Sequence, residues 1–253
     1  MTKKLLGVFG FCLVIVGLIL GGVGLKNFLQ EKNAGKVYED LKGNLDIQPI
    51  VKLPMADTER IENPIDFESL TAQYPDVYAW IRIPGTKIDY PIVQREGDNG
   101  YYLNHTIDGK KKTEGSIYTE DYNGKDFEDA NTVIYGHNMK NGSMFKGLHK
   151  YKDKQFLLDN SELYIYQKDR VLKYKIFAAY VYDNRHLMLS FDFEDEDVFR
   201  NYLNNVLTKR DISSNINTNV DVTVKDKIIT LSTCNNNDKQ RYLVQAVLLS
   251  IQE

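Results

Sequence analysis

Cys234 and Arg241 stand at the two ends of a polar stretch inside Lys227–Leu249, KIITLSTCNNNDKQRYLVQAVLL. An apolar, β-branched run (Ile228, Ile229, Leu231) leads to the cysteine, and a second apolar run follows the arginine. Such runs read as strands, and Asn-Asn-Asn-Asp between them is turn chemistry. Paired as a hairpin, the strands bring Cys234 and Arg241 together at one rim of a sheet, a thiol beside a permanent cation. A neighbouring cation favours the thiolate, which is the reactive form. The same residues also fit a buried free cysteine and an ordinary surface arginine, and the pattern alone leaves both readings open.

The chain has 2 cysteines. Cys12 lies in Leu5–Leu25, LLGVFGFCLVIVGLILGGVGL, which carries no charge. As a helix that segment spans roughly 31 Å, about one hydrocarbon core. Its apolar part exceeds that of a cleaved signal peptide, and Gly22-Val23-Gly24 imitates a cleavage site poorly. We therefore expect an uncleaved transmembrane anchor, with residues 1–4 as a short tail. Lys3 and Lys4 precede the helix while Lys26, Lys32 and Lys36 follow it, so local charge does not set the orientation. Gly17-x-x-x-Gly21 fits a helix-dimer face, although glycine is common in membrane helices anyway. Cys234 is then the sole thiol of the exported part, without a disulfide partner there, which makes it a candidate reactive group.

A cysteine nucleophile commonly works with a histidine as acid and base. His105 sits in a polar stretch, His149 in an expected helix and His186 in a loop after the longest strand. His137 differs, because it follows the apolar run Thr-Val-Ile-Tyr and Gly136 and so projects from a strand end, as Cys234 does. Side chains at strand ends of a rigid sheet are well placed for catalysis. Each histidine taken alone also fits a surface residue.

The elements that must hold these groups read as mainly β. At 253 residues and 42% hydrophobic the chain can bury one sizeable core. Strand candidates are 80–83, 88–93, 116–119, 132–135, 163–167, 171–182, 228–233 and 242–250, eight in all, with Pro84-Gly85 set for a type II turn. Short strands joined by glycine- and asparagine-rich turns indicate a barrel or sandwich. Residues 26–62 read as a stalk, with a helix expected over 37–45, and 63–253 as the folded domain. Asn63-Pro64 reads as the start of a short helix running to about Tyr74. A longer helix is expected over 195–209, where Val198, Phe199, Tyr202, Leu203, Val206 and Leu207 share one face. Acids at its start and Lys209-Arg210 at its end complement the dipole, a better account of the acidic cluster than calcium binding, which needs a different ligand spacing. A net charge of −3 leaves no basic footprint for nucleic acid. Nothing has the ligand spacing of a zinc site or resembles a phosphate-binding glycine loop, so no metal and no cofactor is expected.

Thr230-Leu231-Ser232-Thr233-Cys234 followed by Arg241 resembles the nucleophile motif of the sortases, membrane-anchored cysteine transpeptidases of Gram-positive bacteria. Val133-Ile134-Tyr135-Gly136-His137-Asn138-Met139 is similar to the segment that carries their histidine. The likeness runs from about Trp80 to Ala246 and implies an eight-stranded barrel. The N-terminal helices, the hairpin Trp80-x-x-Ile83-Pro84-Gly85-Thr86-x-Ile88-Asp89-Tyr90-Pro91 and a helical insertion between the sixth and seventh strands resemble class B in particular.

The resemblance implies that Cys234 attacks the threonine carbonyl of a C-terminal sorting signal on a secreted protein. It implies that His137, as imidazolium, protonates the departing amine, and that Arg241 stabilises the oxyanion or holds the substrate backbone. An amine of the peptidoglycan precursor then resolves the thioester. Tyr135, Ser232 and Asn104 are implied as substrate-binding residues, and the catalytic domain as facing the cell wall with the N-terminus cytoplasmic. Two features depart from the family: Asn235 stands where an acidic residue is common, and the loop to Arg241 is short. Two other readings use the same residues. One is an extracytoplasmic cysteine peptidase that only hydrolyses, the other a membrane-tethered binding module in which Cys234 is structural.

Overall fold

A computed structural model describes residues 61–235 and 239–253, together with 31–45, 47 and positions 22, 24–26, 28 and 29. The expected membrane segment 5–25 therefore lies outside the described residues except at Gly22, Gly24 and Leu25. Among the described residues no helix is long and apolar enough to cross a membrane.

The first two strands, β1 (Val77–Arg82) and β2 (Asp89–Val93), form the expected antiparallel hairpin. Its turn is closed by the Thr86 N–H donating to the Ile83 carbonyl at 3.2 Å, with Gly85 at φ +79°. That left-handed conformation is the one a type II turn requires of its third residue. The remaining strands are β3 (Ile117–Thr119), β4 (Asn131–Tyr135), β5 (Glu162–Gln167), β6 (Arg170–Asp183), β7 (Asn215–Ile216), β8 (Ile228–Cys234) and β9 (Gln240–Gln252). Their order is β5-β1-β2-β3-β4-β8-β9-β6-β7, and β5 also pairs with β6. The ring thus closes through eight strands, as expected. The two-residue β7 is an addition that pairs with β6 at Ala178 and Ala179, beyond the stretch that β5 uses. Closure removes the exposed edges of the sheet.

Two clusters of buried side chains follow the period-2 alternation of the strands. Ile81, Ile92, Ile134, Leu172, Ile229, Leu231, Val244 and Ala246 point into the barrel. Val133, Tyr180, Ile228, Leu243 and Val247 point the other way and are covered by Phe199, Tyr202, Leu203 and Val206. These last four belong to the helix inserted between β6 and β7, which runs Glu196–Leu207. Asp195 caps it by accepting from the N–H groups of Asp197 and Val198. The helix ends two residues earlier than expected, so Lys209 and Arg210 lie past its last turn, where the Arg210 guanidinium donates to the Leu207 carbonyl at 2.9 Å. Beneath it a buried polar chain runs from Tyr202 to Gln245, Thr230 and Asn131, each link 2.7–2.8 Å.

The helical segments preceding the barrel differ from the sequence reading in two ways. Helix α1 (Lys36–Asn44) falls within the segment read as a stalk, yet its Tyr38 and Leu41 are buried in the main core. The Tyr38 hydroxyl donates to the Gly115 carbonyl at 2.6 Å, which docks the helix on the barrel. Helix α2 (Phe67–Gln73) starts later than the expected Asn63, because the Asp66 carboxylate is the group that accepts from the Ser69 N–H. Asn63 instead closes a local turn on the Ile65 N–H.

Candidate active site

Strand register places the candidate groups side by side. Tyr118 pairs with Tyr135, Tyr135 with Ser232, Ser232 with Leu243, and Leu243 with Tyr180, which makes one row across five strands. Side chains two residues apart share a face. A second row therefore continues beyond the first: Cys234 pairs with Arg241, Arg241 with Tyr182, and His137 follows two residues after Tyr135 just as Cys234 follows Ser232. Neighbouring strands lie about 4.8 Å apart, so the thiol sits with the imidazole on one side and the guanidinium on the other. This is the outer face of the barrel, the face that Glu196–Leu207 covers further down.

The two rows, Tyr180 excepted, floor a cleft of about 230 Å³. Leu103, on the loop between β2 and β3, lines one side, and Asn184–Leu187, on the loop after β6, line another. His137, Cys234, Arg241, Tyr135 and Ser232 all line it. Asn104 does not; it is exposed beside Leu103, and its carbonyl accepts from the Lys112 N–H.

His137 is held by its ring: Nε2 donates to the Leu103 carbonyl at 2.7 Å. Its backbone is positioned by Gly136, whose N–H donates to the Ser232 carbonyl at 3.1 Å and so extends the β4–β8 pairing past the strand end. A side chain at Gly136 has no room, since a Cβ there would lie 2.5 Å from Ile117 Cδ1. Cys234 is a free cysteine, half-buried at the end of β8. Two groups donate to its carbonyl, Asn138 Nδ2 at 3.0 Å and His149 Nε2 at 3.1 Å. Beside the floor, Tyr118 stacks on Tyr135 with ring centroids 5.3 Å apart. Burial pushes both tyrosine hydroxyls well above their ordinary range, with Glu120 adding to it, so both stay protonated donors.

Three features of the site were not read from the sequence. His186 pairs with Glu120, Nε2 to Oε2 at 2.6 Å, at the far wall, where Tyr135 also reaches the imidazole at 3.5 Å. His149 lies in a helix as expected, a 3-10 helix over Phe145–Lys152, but this helix sits behind the nucleophile strand and brings the ring to the Cys234 carbonyl. Asn235, the departure noted above, accepts from Lys152 Nζ at 2.9 Å and donates through Nδ2 to Gln240 Oε1 at 3.2 Å. An amide can do both, whereas a carboxylate could only accept. His105 is structural, stacked on Tyr101 with Nδ1 bonded to that residue's carbonyl.

The strand-end cysteine, the histidine and the arginine thus share one cleft on a closed eight-stranded barrel. The sortase domain model matches residues 81–249, and the chain belongs to the sortase family. Within it the relatives are of class B, and the chain is a sortase-type cysteine transpeptidase. It is 39% identical to Sortase B of Listeria monocytogenes over 178 residues, 69% of this chain and 70% of that protein. The crystal structure of Staphylococcus aureus Sortase B superposes with a TM-score of 0.70 at 27% identity, covering 86% of this chain and 99% of that one. A Staphylococcus aureus sortase B–substrate complex matches with a TM-score of 0.65 at 26% identity, over 88% of this chain and 94% of that one.

Proposed function

We propose that this protein is anchored in the cell membrane by residues 5–25, with its N-terminus cytoplasmic and its barrel outside. There it cleaves a C-terminal sorting signal of secreted proteins after threonine and joins the acyl group to an amine of the peptidoglycan precursor. The observation that carries the reading is the adjacency of His137, Cys234 and Arg241 in one cleft of a chain belonging to the sortase family. The charge-free run Leu5–Leu25 supports the anchor, and the substrate complex of a relative supports a peptide in the cleft.

The Cys234 thiolate adds to the threonine carbonyl carbon, forming a C–S bond and an oxyanion. Arg241, the cross-strand neighbour of Cys234, is placed to stabilise that charge, as preorganised donors do. The intermediate collapses, the C–N bond breaks, and His137 gives a proton to the departing amine, leaving a thioester on Cys234. The acceptor amine attacks the thioester, the thiolate leaves, a proton returns to His137 and a new amide remains. Exclusion of water until the amine arrives favours transfer over hydrolysis. Tyr135 and Ser232 offer hydroxyls along the floor to the residues that precede the threonine. Asn104 stands outside the floor and serves as a contact at the rim.

The test incubates the chain from about residue 27 with a panel of pentapeptide signals and excess amine, and identifies the products by mass. An amide adduct of a threonine-ended fragment is the expected result. Hydrolysed peptide alone would instead identify a cysteine peptidase. No turnover of any peptide, with binding that survives Cys234→Ala, would identify a binding module in which the cysteine is structural.

A further inference from the structure

Four tethers connect the 3-10 helix Phe145–Lys152 to the two strand ends that carry chemistry. At its start, the Phe145 N–H donates to the His137 carbonyl at 2.9 Å, and Asn138 bridges to Met144. At its end, His149 Nε2 reaches the Cys234 carbonyl at 3.1 Å and Lys152 Nζ reaches Asn235 Oδ1 at 2.9 Å. Asn138 Nδ2 supplies the second donor to the Cys234 carbonyl at 3.0 Å. A carbonyl has two lone pairs, so this one is fully used. The Asn235 N–H, on the other side of the same peptide, donates to the Gln240 carbonyl at 3.1 Å. The peptide that follows the nucleophile is thus fixed at both its oxygen and its hydrogen.

The helix is itself held rigidly. It is entered through Met144, a non-glycine residue at φ +55° and fully buried. Left-handed backbone at such a residue costs about 1–3 kcal/mol and persists only where its surroundings impose it. Here Tyr90 accepts from the Met144 N–H at 3.0 Å, and Phe145, Leu148 and Tyr151 are buried. The His149 ring stacks on Tyr242, centroids 5.1 Å apart, and Tyr242 adjoins Arg241 in β9.

We propose that this 3-10 helix is the device that sets the nucleophile, and that His149 is a positioning residue acting through the Cys234 carbonyl. The proposal rests on Cys234 being the nucleophile. With His149 and Asn138 holding the carbonyl behind the strand, its negative end stays off the cleft and the thiol keeps one orientation toward the substrate. Burial, together with the positive charges of Lys152 and Lys146, lowers the His149 pKa to about 4. The ring is therefore neutral in use, carries its proton on Nε2, and does not compete with His137 as acid. The helix also couples the two catalytic backbones, because the element that fixes Cys234 begins on the carbonyl of His137.

The test compares His149→Leu, His149→Gln and Cys234→Ala in the full chain. Readouts are kcat and KM for a cleaved peptide, thermal melting, and the alkylation rate of Cys234 by iodoacetamide. Loss of one donor to the nucleophile's peptide is expected to lower kcat about tenfold in His149→Leu, with KM changed less than about twofold. His149→Gln places an amide N–H where Nε2 stood and is expected to recover most of kcat. Unaltered kcat in His149→Leu, or glutamine no better than leucine at equal melting temperature, overturns the proposal. A loss of kcat that merely tracks a lowered folded fraction overturns it as well. Turnover surviving in Cys234→Ala overturns the reading of the nucleophile instead, so the two failures are distinguishable.

Discussion

Replacing Gly136 by alanine adds one methyl group at the joint between strand β4 and His137. A Cβ built there lies 2.5 Å from Ile117 Cδ1 and 2.7 Å from the Phe145 ring carbons Cγ and Cδ2. Carbon atoms rest at about 3.5–4.0 Å, so something must move by about 1 Å. Ile117 and Phe145 are both fully buried and have no open space to enter. Forcing a methyl group into a packed core costs about 1–3 kcal/mol. For a chain of this size each kcal/mol lowers the melting temperature by about 2–4 °C, so the loss is expected near 5 °C. The catalytic effect is larger, because the chain can yield only by shifting the Gly136–Ser232 hydrogen bond and the histidine after it. A displacement of about 1 Å in a catalytic group costs on the order of 100-fold in rate. Circular dichroism melting and steady-state turnover measure the two effects. Gly43→Ala in helix α1 is the control, since a Cβ there meets nothing within 4 Å. Gly136→Ala that melts with the wild type and turns over at the wild-type rate would refute the steric argument.

Other outcomes follow from the same geometry. Asp89 accepts from Trp80 Nε1 at 2.7 Å and from the buried Arg82 Nε at 2.9 Å. Asp89→Ala takes the acceptor from both donors and is expected to cost about 1–3 kcal/mol. The single tryptophan reports the change by its emission. Arg241→Ala should lower kcat about 100- to 1000-fold if the guanidinium stabilises the oxyanion, with Arg241→Lys recovering only part. His149 is kept neutral by burial and by Lys152 and Lys146, which lower its pKa from 6.5 to about 4. Between those values the unfolded chain binds the extra proton and the folded chain does not, so this group makes stability fall as pH drops through that window. His149→Gln should show a shallower acid loss of stability in denaturant titrations at pH 7 and pH 4.5. An unchanged slope would mean that the ring is charged in the fold.

The sequence made the local elements legible and left the long-range ones hidden. Alternating β-branched runs located the barrel strands within a residue or two, apart from β1, which begins three residues before the expected Trp80, because half-buried strands must alternate. The Asn-Asn-Asn-Asp turn implied the β8–β9 hairpin, and with it the Cys234–Arg241 neighbourhood. His137 emerged because a glycine and a strand end leave a visible trace. His186 and Glu120 left none: 66 positions separate them, and only the tertiary fold brings the segment after β6 against the end of β3. His149 was read as an ordinary helical residue for the same reason, since its partner lies 85 positions away. The start of helix α2 was misplaced because Asn63-Pro64 and Asp66 both carry capping chemistry, and only backbone geometry selects between them. Helix α1 was legible as a helix but not as part of the domain, its one buried face being short; the hydroxyl of Tyr38 ties it to the barrel.

The central claim is that Cys234 carries the acyl group between two amines. Rapid mixing of the protein with a threonine-containing signal peptide, followed by acid quench and peptide mapping by mass, tests it most directly. The expected result is a threonine-ended fragment on Cys234, removed by hydroxylamine, discharged faster as amine is added, and missing in Cys234→Ala. An unmodified Cys234 during turnover, or an adduct on another residue, would contradict it.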